Sequence, residues 1–322
     1  VLLDTAERIA DEVLFPAAAR VDAAERVPAS HLDLLATEGF YGLATREDAD
    51  FPRIVEVLAG GCLATTFVWL QHHGAVRAAA GAPAAVRDRW LEPLRRGERR
   101  AGVSQAGVRP GPSPLRARRV DGGYLLDGEA PWVTGWDLID TLYVAARDDG
   151  TIVWALLGAT AGPTLAVTPL DLVAVQASRT VHVHFDGHFV PDDRVTGTSP
   201  HAEWPARDAA GLRPNGSLAL GVAGRALRLM GPGPLDDELA AARAALDSGT
   251  PETLPAARAA AAELALRAAA TLAVATGSRA VIAGDHAERL VREATFLLVF
   301  GSRPAIRDEL LRRVAGSQAW KS

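Results

Sequence analysis

The sequence predicts an α+β protein of several domains: a helical domain, then a β domain of barrel or sandwich type, then a helical bundle. Apolar residues recur at three- and four-residue spacing over the first hundred residues and again after Arg213. Between these stretches, from about Ala101 to Gly197, the pattern changes to short β-rich runs divided by Asp, Gly and Pro. With 322 residues, 48% of apolar type and 23% charged, the chain is long and apolar enough for two or three packed cores. The expected division is residues 1–100, 101–198 and 208–322.

In the first part, Leu2–Leu14, His31–Leu35 and Ala84–Leu94 carry the helical period. Pro28-Ala-Ser30 opens the second of these and Gly39 closes it. In the middle part, Gly123–Leu126, Thr141–Ala146, Thr151–Leu157 and Thr180–Phe185 read as strands. Val181, Val183 and Phe185 alternate with His182 and His184, as in a strand with one buried face. In the last part, Gly231-Pro-Gly-Pro234 and Ser248-Gly-Thr-Pro251 are loops between helices at Leu218–Ala226, Leu235–Leu246 and Ala256–Val274.

Composition excludes several functions. The net charge of −5 argues against a nucleic-acid-binding protein, which needs clustered positive charge facing phosphates. The single cysteine, Cys62, can form no internal disulfide and no thiolate cage, which fits a reducing compartment. No run reaches roughly 20 uninterrupted apolar residues, and the first residues lack a basic segment followed by an apolar one, so the expectation is a cytoplasmic protein without a membrane partner. Glycine-rich dinucleotide or phosphate loops, His-Glu-x-x-His and Gly-x-Ser-x-Gly are absent from the sequence. His182 and His184 have no third ligand nearby and read as two exposed histidines on a sheet, so no metal is expected.

Six strings, in order, resemble the acyl-CoA dehydrogenase family over most of the chain. They are Leu91-Glu-Pro-Leu-Arg-Arg-Gly97, Gly102-Val-Ser-Gln105, Gly128-Glu-Ala-Pro-Trp-Val-Thr134, Val190-Pro-Asp-Asp-Arg-Val-Thr-Gly197, Arg213 with the small-residue helix after it, and Glu288-Arg-Leu-Val-Arg-Glu-Ala294. The resemblance implies that family's fold and a flavin, FAD or FMN, lying on the β domain. The residues it matches to the ring site are Ser104, Trp132 and Thr134, with Val103 and Val133 beside them. Serine and threonine offer a donor and an acceptor, and an indole offers a broad apolar face. Two-residue spacing in a strand predicts that Trp132 and Thr134 share a face.

Other parts of the family pattern are missing. The hairpin that carries the family's pyrophosphate-clamping arginine is replaced by a direct run from Met230 into Gly231-Pro-Gly-Pro234. The clamp glutamine matches Val274, and a Gly-Gly pair matches Gly277-Ser278. The two positions at which the family holds its catalytic glutamate match Gly301 and Leu212, neither of which accepts a proton. By helix spacing, Glu288 and Glu293 project away from there and read as solvated or ion-paired. That leaves His73, next to His72, as a weak candidate for a base, read first as a pocket-wall or core residue, and Arg213 as a substrate-binding candidate.

Three readings follow: a flavin-dependent oxidoreductase acting on an acyl thioester of CoA or a carrier protein; a base-less half-site subunit pairing with an intact homologue; or a monooxygenase of the same fold. The apolar Ala256–Val274 helix predicts self-association or a homologous partner.

Overall fold

A computed structural model describes residues 1–316, so residues 317–322 of the expected C-terminal part lie outside the described residues. The chain opens with α1 (Leu2–Arg8) and α2 (Phe15–Asp22), joined without a break by a π-helical stretch, Ile9–Leu14. The first helix therefore runs eight residues past its expected end. Pro16 brings no N–H to the ladder, and the turn ahead of it is the widened one. Next, α3 (Ala29–Thr37) starts behind Pro28, and the chain turns at Gly39, whose φ of +77° suits glycine. Asp50 caps α4 (Phe51–Gly61), its carboxylate accepting from the Arg53 N–H at 3.1 Å. Extended Cys62 separates it from α5 (Leu63–Gly81), and α6 (Ala84–Arg95) leads to the strands.

The strands are β1 (Ala101–Ser104), β2 (Leu115–Val120), β3 (Gly123–Val133), β4 (Thr141–Asp148), β5 (Thr151–Gly158), β6 (Leu165–Pro169), β7 (Val181–Pro191) and β8 (Val195–Pro200). They form one mixed sheet of order β6-β7-β3-β2-β4-β5-β8, with β1 parallel to β4. The strands of the expected barrel or sandwich domain are thus joined in one hydrogen-bonded path that runs from β6 to β8 around a core of its own. In β7 the expected alternation holds, with Val181, Val183 and Phe185 buried and His182 and His184 on the outer side.

The last helices are α7 (Trp204–Met230), α8 (Leu235–Asp247), α9 (Leu254–Thr276), α10 (His286–Val299) and α11 (Pro304–Ala315). Helix α7 begins nine residues before Arg213. Pro205 sits in its first turn, where no N–H is needed, and Pro214 is accommodated inside it. Leu254–Val281 is long and apolar enough to cross a bilayer by composition alone, yet α9 packs against α7, α8, α10 and α11.

Two main cores result. One joins both sets of helices, from Ile9 and Leu58 to Leu220, Leu264 and Leu297. The other fills the β part around Leu126, Val144, Val183 and Phe185. The first core depends on a very close crossing of α4 and α7. A Cβ on Gly221 would stand 2.3 Å from the Glu56 carbonyl oxygen and 2.8 Å from the Gly60 nitrogen. Gly221→Ala should therefore lower unfolding stability by about 1–3 kcal/mol in urea titrations. Gly211→Ala, in the same helix with nothing within 4 Å, should be neutral or stabilising.

Candidate functional site

Helix α5 packs against both the β part and α7 and carries His72 and His73. Its His72 is wholly buried. The Ala101 N–H donates to Nδ1 at 3.0 Å, so Nε2 carries the proton and donates to the Leu94 carbonyl at 3.0 Å. Ala101 is the first residue of β1, and Ser104 ends that strand.

His73, the weak candidate for a base, is a core residue. It is fully buried, its Nε2 donates to the Phe40 carbonyl at 3.1 Å, and its ring packs edge-on to Trp69 and tilted against Phe51. Burial pushes its pKa down to about 4. Apolar rings surround it, so it reaches neither a cleft nor a substrate, and both its catalytic and its substrate-binding expectations are corrected.

The ring-site residues do not converge as the strand spacing predicts. A bulge between Ala130 and Val133 interrupts the β3–β7 register and turns Trp132 to φ +64°. Its indole is 55% exposed and lies edge-on to His182, whereas Thr134 is 3% exposed and Ser104 1%. The extra residue of the bulge breaks the two-residue period, so Trp132 and Thr134 share no face. Thr134 Oγ1 shares a hydrogen bond with Thr180 Oγ1 at 3.1 Å, and Thr180 Oγ1 shares another with Ser178 Oγ at 2.9 Å. The Ala106 N–H donates to Ser104 Oγ at 3.5 Å. Val133 is buried in the β core, and Val103 pairs with Tyr143 across β1 and β4.

A flavin ring on this face would need those hydroxyls free and pointing into open space. They are enclosed and bonded within the chain, so the residues as placed do not fit the ring. The clamp side does not fit either. Met230 passes through Gly231–Pro234 into α8. The arginines at the end of α7 are taken, Arg225 by Asp11 and the Gly60 carbonyl and Arg228 by Asp11. Val274, at the glutamine position, is an exposed valine.

Neither family position for the base can take a proton in this fold. Leu212 is buried, and Gly301 has φ +59°, where any other L residue costs about 1–2 kcal/mol. The carboxylates of the surrounding helices are paired. Glu293, fully buried, meets Arg289 at 2.5 Å; Glu288 meets Arg292 at 2.7 Å; Asp208 meets Arg303 at 2.5 Å. Of the two readings offered for Glu288 and Glu293, ion pairing is the one observed. Arg213, the substrate-binding candidate, spends its guanidinium on Asp247 (2.5 and 2.7 Å) and Ser217 Oγ (2.6 Å). His182 and His184 flank Glu129 at 4.0 and 3.8 Å on the outer face of the sheet.

Sequence reasoning missed Ser178 and Thr180, the partners that close Thr134 in. The signal was present in Ser178-Arg-Thr180, just ahead of β7, where short hydroxyl side chains precede an apolar alternation.

This fold is that of the acyl-CoA dehydrogenases. Glutaryl-coenzyme A dehydrogenase in complex with glutaryl-CoA superposes with a TM-score of 0.84 at 16% identity, covering 98% of this chain and 95% of that one. Butyryl-CoA dehydrogenase of Megasphaera elsdenii superposes with a TM-score of 0.83 at 16% identity, covering 98% and 96%. In sequence, benzylmalonyl-CoA dehydrogenase of Aromatoleum aromaticum is 29% identical over 245 residues, 70% of this chain and 64% of that protein. The mitochondrial 2-methylacyl-CoA dehydrogenase of Solanum tuberosum is 34% identical over 87 residues, 26% of this chain and 21% of that protein. The matches thus span less than two-thirds of either relative, and no sequence-family profile matches the chain. The chain has the fold of the acyl-CoA dehydrogenases and is similar in sequence to one of them over 70% of its length.

The buried histidines make stability depend on pH. His72 and His73 are both held below their ordinary value of 6.5 by burial, His73 at about 4. Between these values the unfolded chain binds more protons than the folded one, so stability rises with pH across the window and is lost as pH falls. Urea unfolding at a series of pH values should show this loss below about pH 6.5. His73→Gln, which can still donate to Phe40, should make the slope shallower by about 1.4 kcal/mol per pH unit. An unchanged slope would refute the assignment.

Proposed function

We propose that the chain is a non-catalytic, half-site subunit of an acyl-CoA dehydrogenase-type assembly, pairing with an intact homologue that brings the missing base and flavin clamp. The observation that carries this reading is the lack of a proton acceptor at Leu212 and Gly301, in surroundings whose carboxylates are already paired with arginines. Taking the α-proton of an acyl thioester is a general-base step, and such a base contributes roughly 10²–10⁴-fold in rate. The enclosed hydroxyls of Ser104 and Thr134 support the same reading, because a chain without a ring site has no hydride acceptor of its own.

An apolar surface supports the partner. The outer end of α9 and the turn after it carry Val274, 83% exposed, and Val281, 86% exposed, with Ile282 beside them. They border a hollow of about 570 Å³ lined by Ala273, Gly277, Ala280 and Val291, with Glu288 and Arg292 at its side. This is a smaller patch than the sequence of α9 predicts, since most of that helix is covered by its own chain. An acyl thioester as the assembly's ligand and a cytoplasmic location go with this reading.

Purified alone, the chain should carry no visible flavin band and should not reduce an artificial acceptor with any of a panel of acyl-CoA thioesters. Co-expressed with an intact homologue from the same source, it should co-purify as a stoichiometric complex that Val274→Glu with Val281→Glu disrupts. Stoichiometric flavin and dye reduction by the chain alone would overturn the reading.

A further inference from the structure

Four of the five non-glycine residues with a positive φ among the described residues fall in one place. Val175 and Arg179, both at +50°, lie in the 170–180 segment between β6 and β7. Trp132 and Asp137, at +64° and +65°, lie at the end of β3 and in the turn after it, which that segment meets. A β-branched residue such as valine is strongly disfavoured in this region, so the segment keeps its shape only because its surroundings impose it. Three parts of the molecule do so. The Val27 N–H, between α2 and α3, donates to the Ala177 carbonyl at 2.9 Å. The Gly135 and Trp136 N–H groups donate to the Ser178 and Arg179 carbonyls at 2.8 and 3.0 Å, and the Arg179 guanidinium meets Asp137 at 2.6 Å and Glu25 at 3.3 Å. From α10, Arg292 donates to the Val173 carbonyl at 3.0 Å while pairing with Asp22 and Glu288.

Val173 itself is 83% exposed, and the arginine that holds its carbonyl also lines the apolar hollow beside Val274 and Val281. The segment thus connects that hollow with Ser178 and Thr180, the hydroxyls that close Thr134 in. We propose that residues 170–180 form a strained strap that is the moving part of the partner's seat: docking covers Val173 together with the hollow and clamps the strap over Thr134, whereas in the free chain the strap opens locally. The direction follows from the chemistry. Covering Val173 removes apolar surface from water, and drying the surroundings of Arg292 removes water that competes for its pairs with Asp22 and Glu288; both favour the closed strap. The seat rests on the half-site reading, and the strap does not.

Hydrogen exchange read by mass spectrometry, on the full chain alone and in complex with the intact homologue, tests the strap. In the free chain the amides of Gly135, Trp136 and Ser178 should exchange well before those in the middle of α4. Arg292→Gln removes the charge-assisted bond to Val173 and should speed them by about tenfold or more, beyond any change in α4. Should Arg292→Gln fail to fold, Arg179→Gln, at the strap's other anchor, carries the same expectation. In the complex these amides should slow by about tenfold or more, and Val173→Glu should weaken the complex by at least about tenfold. Strap amides as slow as those of α4, or speeded by the variant no more than α4 is, would overturn the strap. An unchanged strap in the complex, or a complex that Val173→Glu leaves intact, would overturn its part in the seat. No complex at all would refute the half-site reading and the seat with it, and the free-chain exchange would still judge the strap.

Discussion

One imidazole holds the two architectural halves of this molecule in register. His72 accepts from the first N–H of β1 and donates to a carbonyl at the end of α6, so strand, helix end and α5 meet on a single five-membered ring. The bond pattern needs a neutral ring with its proton on Nε2, and burial enforces that state. Everything downstream inherits its position from this joint: β1 lies parallel to β4, β1 carries Ser104 inward, and α5 presents Phe67 and Val68 to the C-terminal helices.

The same economy runs through the charged groups. Buried or half-buried acids of the helical core are matched by arginine: Glu293 by Arg289, Glu56 by Arg243, Asp22 by Arg292. Removing one member of a buried pair costs far more than replacing both with apolar residues, so the arrangement resists change at single positions. A catalytic carboxylate needs the opposite condition, a charge held in an apolar setting and free to accept a proton. Around Leu212 and Gly301 the charges present are of the paired, structural kind.

The fold was legible because its signals are redundant. Helical periods, turn residues and six ordered strings all place the same boundaries, and a shift of a few residues at any of them leaves the order intact. The misjudged places have local causes. Helix α7 starts before Arg213 because Pro205 sits in its first turn, where a proline costs little, and Pro214 is accommodated inside it. The face shared by Trp132 and Thr134 failed because a bulge adds a residue that no sequence period reveals. Of the readings open for His73 the core one is observed, and it could not be singled out beforehand because sequence shows which groups can titrate but not which are surrounded by Phe40, Phe51 and Trp69. The residues at the two expected base positions were more readable than their surroundings: Leu212 and Gly301 can be seen in one dimension, whereas the ion pairs of Glu293, Glu288 and Asp208 appear only in the fold.

The position of α9 in the chain matters during synthesis as well as in the finished fold. Its neighbours α7 and α8 precede it, but α10 and α11 are translated only afterwards. Until then, the face that Leu290, Leu297 and Ile306 will cover stays open to water on a helix as apolar as a membrane span. Uncovered apolar surface on a growing chain is where aggregation competes with folding. The order in which the ribosome releases its segments therefore leaves this long apolar helix waiting for α10 and α11.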